Sequence, residues 1–349
     1  MSVNDQYPGR RNLVVGCRIS DGGYRYAPSM SDQESTAAPN DRETSGIGLG
    51  DELNRDFYAH SPSEYLRTRI TLLIAFGDAR TPIHQAVSEG VSAWDMSANS
   101  DAAPDDDETD GFAVVESLSI MYLAAEALLR LYFAHADGGT CPPLQLSSLT
   151  SYAKFKQQAA ALLTDPPSIE SLRRVFRGML DAPPDVPEET WDEDAEVLQF
   201  LVHRAAELMA RESNVYNATK HGLAVQPRKS AMRLGSEEDS SGVIIDHHGS
   251  SIRFLNKLPG SDPGVQQWRE TTQFVFPSIN LAVASSFADE IDAIHTVAKS
   301  RLLGEEGSIP IHRRALLEHL RTVPFGSNYT GLLSMAINRN FQVKISRER

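Results

Sequence analysis

The run Asn214-Val215-Tyr216-Asn217-Ala218-Thr219-Lys220-His221-Gly222 gathers two amides, an ammonium and an imidazole just before a glycine. An imidazole can take or give a proton near neutral pH, and an amide can orient it or donate to a developing oxyanion. Lys220 adds a positive charge suited to a phosphate. On a helix advancing about 100° per residue, Glu207, Asn214 and His221 repeat every seven positions and stack on one face. Asn217, four before His221, joins that stripe, and Arg211 lies close to it. The candidate catalytic residues are therefore His221, Asn217 and Asn214, and the candidate substrate-binding residues are Lys220 and Arg211. A purely structural role competes. Cations favour the negative end of a helix dipole, and Gly222 permits a left-handed cap.

A second polar cluster, Asp246-His247-His248-Gly249, combines residue types that ligate metals. A metal pair held there could activate water and stabilise a leaving oxygen. The same residues also read as a hairpin turn between strands at 242–246 and 251–255, with Gly249 at the tip. No upstream strand offers the partner carboxylates of such a site, so no metal is expected. His295, His312 and His319 read as scattered surface or packed histidines. The chain has no phosphate-cradling loop, no His-Glu-x-x-His, no Gly-x-Ser-x-Gly and no dinucleotide fingerprint, and no cofactor is expected.

The elements that must position these groups are mostly helical. The motif closes a helix predicted over 194–221, whose other side carries Leu198, Leu201, Val202, Ala205, Leu208, Met209 and Val215. The longest helix is predicted over 112–136, where Glu126 and Arg130 form an i,i+4 pair. Both helices have long apolar faces and should pack together. Ser61-Pro62-Ser63-Glu64 starts a helix ending near Gly77, and further helices are predicted over 82–94, 151–163, 168–180, 278–303, 313–320 and 331–337. Residues 95–110 read as a flexible acidic loop, and 181–189 as a linker of prolines and acids. A third strand fits 271–276. The predicted fold class is mainly α: a helical bundle with a small antiparallel β-hairpin or three-stranded insertion. The predicted organisation is a disordered N-terminal segment 1–50 with a short strand at 13–17, a helical domain 51–303 with the β insertion at 242–276, and a short basic helical tail 304–349.

Composition narrows the partners. The 349 residues are 41% hydrophobic, ample for a large core. A net charge of −14 argues against broad, non-specific nucleic-acid binding but leaves room for a local basic patch. Two cysteines, Cys17 and Cys141, are too few for a Cys-rich zinc site or a disulfide framework. No N-terminal run has the form of a signal peptide, and no apolar stretch is read as long enough for a bilayer span. The expectation is a cytoplasmic protein with no membrane partner.

The Asn-rich turn leading to Lys220-His221-Gly222 resembles the terminal motif of HEPN-type domains, helical bundles of prokaryotic defence, toxin and RNA-processing proteins. Ala124-Ala125-Glu126-Ala127-Leu128-Leu129-Arg130 is similar to their early helix, with its acidic residue before a Leu pair. The resemblance covers about 112–222 and matches at Asn217, His221 and Glu126. It implies RNA as the partner, a homodimer with a composite site, and metal-independent RNA cleavage. It departs at 214–216, where Asn, Val and Tyr stand in place of the family's Arg. An amide cannot replace the charge or the bidentate fork of Arg. Lys220 or Arg211 would have to supply the cation. A helical interaction module without catalysis is the rival reading. A third is a phosphoesterase of the DHH type, which the Asp246-His247-His248 run resembles.

Overall fold

The computed structural model describes residues 24–25, 48–99, 105–149, 151–220, 225–235, 243–258, 265–321 and 335–344. In chain order these begin with β1 (Tyr24–Arg25), α1 (Leu49–Tyr58), α2 (Glu64–Asp78), α3 (Arg80–Glu89), β2 (Val91–Ala93) and β3 (Met96–Ala98). The central helices are α4 (Asp106–Ala136), α5 (Pro142–Ser148), α6 (Tyr152–Ala161), α7 (Ile169–Phe176), α8 (Glu188–Ala210) and α9 (Ser213–Lys220). Then come β4 (Val225–Gly235), β5 (Val243–Leu258), β6 (Val265–Phe274), α10 (Pro277–Leu303), β7 (Ser308–Ile309), α11 (Arg314–Arg321) and β8 (Met335–Lys344). The fold is mainly α, with small antiparallel sheets. The strand expected at 13–17 lies outside the described residues. Of the first fifty, the structure describes β1, which pairs with β7, and the start of α1.

Helix α4 is the hub. Its start is fixed by a capping box: the Asp105 carboxylate accepts from the Glu108 amide at 2.8 Å, and Glu108 returns the bond to the Asp105 amide. The helix therefore takes in residues the acidic composition of 95–110 had suggested were loop. It packs against α2, α5, α7, α8, α9 and α10, and against β4 and β5. Ile120, Tyr122, Ala124, Ala125, Leu128 and Leu129 are fully buried, because a helix apolar around most of its girth must be enclosed. By length and composition α4 could also cross a bilayer, which corrects the reading that no stretch was long enough, but here its apolar sides are taken up by neighbouring helices. Ahead of it, α3 ends at Glu89, short of the helix expected over 82–94, and residues 91–98 form the β2–β3 hairpin instead. Trp94 and Asp95 turn it with positive φ (50° and 63°), and Trp94 stands almost fully exposed.

Around the hub, α10 starts at Pro277 and ends at Gly304 in the left-handed conformation. A buried ion network ties it to α7 and α8. Arg177, just past α7, makes a two-pronged bond to Asp194 of α8 (2.8 Å each) and reaches Glu290 of α10 at 3.0 Å. His312, just before α11, bonds Glu290 through its ring and Asp194 through its amide. All four side chains lie inside the protein. His312 is therefore a linchpin of this network. Next to it, Trp191 is buried, its ring N–H donating to Leu180 O and its face under Arg173.

The β insertion is larger than expected. β4, β5 and β6 form an antiparallel meander, and β8 adds a fourth strand beside β6. The tail beyond 304 is accordingly not helical throughout: α11 is followed by β8, where a helix had been predicted over 331–337. From Met335 to Val343 apolar or basic residues alternate with small or polar ones, a period of two that the shorter window hid. Residues 243–258 form one continuous strand, so Asp246-His247-His248-Gly249 is not a turn. One side of the sheet packs on the bundle. Val225, Ile252 and Phe254 join the core, and Pro227 lies so close to α4 that a Cβ on Gly111 would sit 2.8 Å from it.

Candidate functional site

The helix predicted over 194–221 is two helices. α8 ends at Ala210, and Arg211 and Glu212 form the joint before α9. The amides of both joint residues reach back to Glu207 O, at 2.8 and 3.3 Å. No proline or glycine causes the break. Glu212 turns its carboxylate inward to accept from Arg204 at 2.9 Å and from the Tyr122 hydroxyl at 3.1 Å. Those long-range bonds take the place of helix continuation.

The break dissolves the seven-residue stripe. Glu207 stays on α8, bound to Arg204 and Arg211, while Asn214 belongs to α9. Arg211 sits exposed on the joint, with Glu207 of α8 as its partner at 3.2 Å. The three other described candidates do come together. Asn214, Asn217 and Lys220 are exposed, and Val215, Tyr216, Ala218 and Thr219 are buried. His221 lies outside the described residues.

Beneath that outward side is a cluster that sequence reading did not assemble. The Tyr216 hydroxyl donates to Glu126 of α4 at 2.5 Å, and its ring stacks on Tyr122 with centroids 5.5 Å apart. Burial first, then the bond to Glu126, pushes the Tyr216 hydroxyl up from its ordinary pKa, so it remains a donor. The other Glu126 oxygen takes Arg130 at 2.7 Å, and the Arg130 guanidinium lies 4.4 Å over the Phe155 ring and bonds Leu149 O. The Tyr152 hydroxyl, near the Glu126–Arg130 pair, is buried without a hydrogen-bond partner. The Lys220 ammonium sits 5.5 Å over the Tyr216 ring. The i,i+4 spacing of Glu126 and Arg130 was legible in the sequence; their link to Tyr216 needed the packing of α4 on α9.

Chemically, this surface offers two amides and one ammonium, backed by a tyrosine–carboxylate–guanidinium chain. It can bind an anionic or amide-rich ligand. Arg130 and Arg204 are both committed to carboxylates, so neither is free to meet a phosphate. Among the described residues no group of three or more His, Cys, Asp or Glu side chains could hold a metal. The side chains of Asp246, His247 and His248 are not described. Their backbone runs inside an antiparallel sheet preceded by helices, unlike the α/β sheet of the DHH phosphoesterases. No family model matches the chain, and no curated protein or solved structure matches it significantly.

Proposed function

We propose that the protein is a HEPN-like module that binds RNA on the outward side of α9. One observation carries the reading: every exposed, described side chain of α9 (Asn214, Asn217 and Lys220) can contact a nucleotide, while the rest of the helix is anchored in the core through Tyr216 and Glu126. Amides suit base edges, and an ammonium suits a phosphate. The resemblance of Asn217, His221 and Glu126 to the HEPN pattern points the same way.

Cleavage is a separate matter. A phosphodiester transition state needs a well-placed cation, and Asn214, Val215 and Tyr216 stand where the family has Arg. That observation favours the second reading, a binding module without catalysis. A homodimer, which the resemblance implies, is the arrangement in which a second copy lends the cation. The test measures RNA binding, RNA cleavage and solution mass for the wild type, Asn217→Ala, Lys220→Ala and His221→Ala. Binding weakened several-fold by Lys220→Ala and Asn217→Ala is expected, on the scale of one or two lost contacts. Wild-type cleavage abolished in His221→Ala would establish the enzyme. Failure of the wild type to bind any RNA would leave only protein interaction.

A further inference from the structure

The sheet has a second side, buried at Ser251 and Phe274 but open farther along the strands, whose chemistry differs from that of the rest of this acidic chain. Residues opposite one another in register share a side of the sheet. Pro227, Ile252 and Phe254 mark the side packed on α4. On the other side a charged residue of each strand falls along a diagonal: Arg228 of β4, Arg253 of β5, Glu270 of β6 and Arg339 of β8. Glu270 pairs with Arg253 and lies 3.3 Å from Arg339. The Arg253 bond above all, with Arg339 and Arg228 nearby, holds the Glu270 carboxyl below its usual range. One carboxylate cannot balance three guanidinium groups, and Lys257, exposed on the same side, adds a fourth cation. No other acidic residue occupies a described position on this side.

At the Lys257 end of this row stands Trp268, half-buried, in register with Lys257 and on the same side as Glu270 and Arg339. Leu255 and Ile337 are exposed there as well. Cations at strand spacing, about 4.8 Å per step, beside an accessible indole suit a chain that alternates phosphates with flat bases. An acidic peptide would use the arginines and leave the indole without a stacking partner. Duplex DNA would present no unstacked base to it.

We propose that this outward side of the four-stranded sheet is a binding surface for single-stranded RNA, with Arg228, Arg253, Arg339 and Lys257 on the phosphates and Trp268 stacking a base. Glu270 acts as an internal competitor. It occupies Arg253 and Arg339 when the surface is empty and restrains their affinity for phosphate. The surface is distinct from α9 and does not depend on the reading given above.

The test is fluorescence anisotropy with the full chain and a fluorescein-labelled single-stranded oligouridylate, at low and moderate salt. Arg339→Ala and Arg228→Ala change exposed side chains and should each weaken binding about two- to tenfold and flatten its salt dependence. Glu270→Gln should tighten binding, an effect that a merely structural glutamate would not produce. Trp268→Ala should weaken binding to RNA while leaving binding to polyglutamate unchanged, with circular dichroism checking that the sheet survives. Lys220→Ala and Asn217→Ala in the same assay separate this surface from α9. The proposal is overturned if the arginine variants bind like wild type. It is also overturned if Glu270→Gln fails to tighten binding, or if polyglutamate binds as well as RNA and Trp268→Ala alters neither. The last outcome would assign the surface to an acidic protein partner.

Discussion

At the scale of single residues, the strongest expectations come from the buried network. Arg177, with His312 when it is protonated, balances Asp194 and Glu290, so losing Arg177 or either carboxylate strands a charge inside the protein. Arg177→Met should cost about 3–5 kcal/mol of stability, read from denaturant unfolding. The pH dependence follows from opposite shifts. Burial alone would lower the His312 pKa, but Glu290 outweighs it and the net shift is upward. Its contribution is therefore complete below its ordinary value of 6.5 and is lost as pH rises through the raised one. Burial alone would raise Glu290, but Arg177 and His312 hold it down to about 2. Its contribution is complete above 4.5 and disappears as pH falls through that lower value. Melting temperature measured against pH should show both limbs, and His312→Gln should flatten the alkaline one. In the candidate site, Tyr216→Phe removes one bond to a carboxylate and should cost about 1.5–3 kcal/mol; an unchanged melting temperature would show that Glu126 does not anchor α9. None of these partnerships was legible in sequence, because each joins residues distant along the chain whose types are ordinary on a surface.

Elements were easier to read where one physical signal dominated. The apolar period placed both ends of α10 within a residue and the end of α4 at Ala136, since burial of a long face leaves few alternatives. Joints were harder. The α8–α9 break has no sequence breaker and arises from the inward pull of Arg204 and Tyr122 on Glu212. The start of α4 was missed because the acidic run looked solvated, although Asp105-x-x-Glu108 is a capping signature. Asp105→Ala should cost about 1 kcal/mol, detectable by thermal melting. The seam between sheet and bundle is narrow at Gly111, where an added methyl meets the Pro227 ring. Gly111→Ala should therefore destabilise by about 1–3 kcal/mol. Hydrogen exchange should rise first in β4; an increase confined to α4 would contradict that contact.

For the whole molecule, composition and periodicity were enough for a mainly helical fold with a small sheet. They were not enough for its topology. β8 returns from the far end of the chain to pair with β6, and no local pattern announces so distant a partner. Deleting residues 322–349 should uncover the hydrogen-bonding edge of β6 and promote self-association, visible as a concentration-dependent shift in light scattering. The sheet was read as a minor insertion because its cations are dispersed in sequence over more than a hundred positions and converge only through register. The three tryptophans, finally, stand in three different settings: Trp94 on an exposed hairpin turn, Trp191 inside the helical core, and Trp268 half-buried on the sheet. The protein thus carries its own optical reporters. A water-soluble quencher should extinguish the red-shifted emission of Trp94 first and that of Trp191 last. With Trp94 and Trp191 replaced by phenylalanine, the remaining indole would report on the sheet alone, without an added dye.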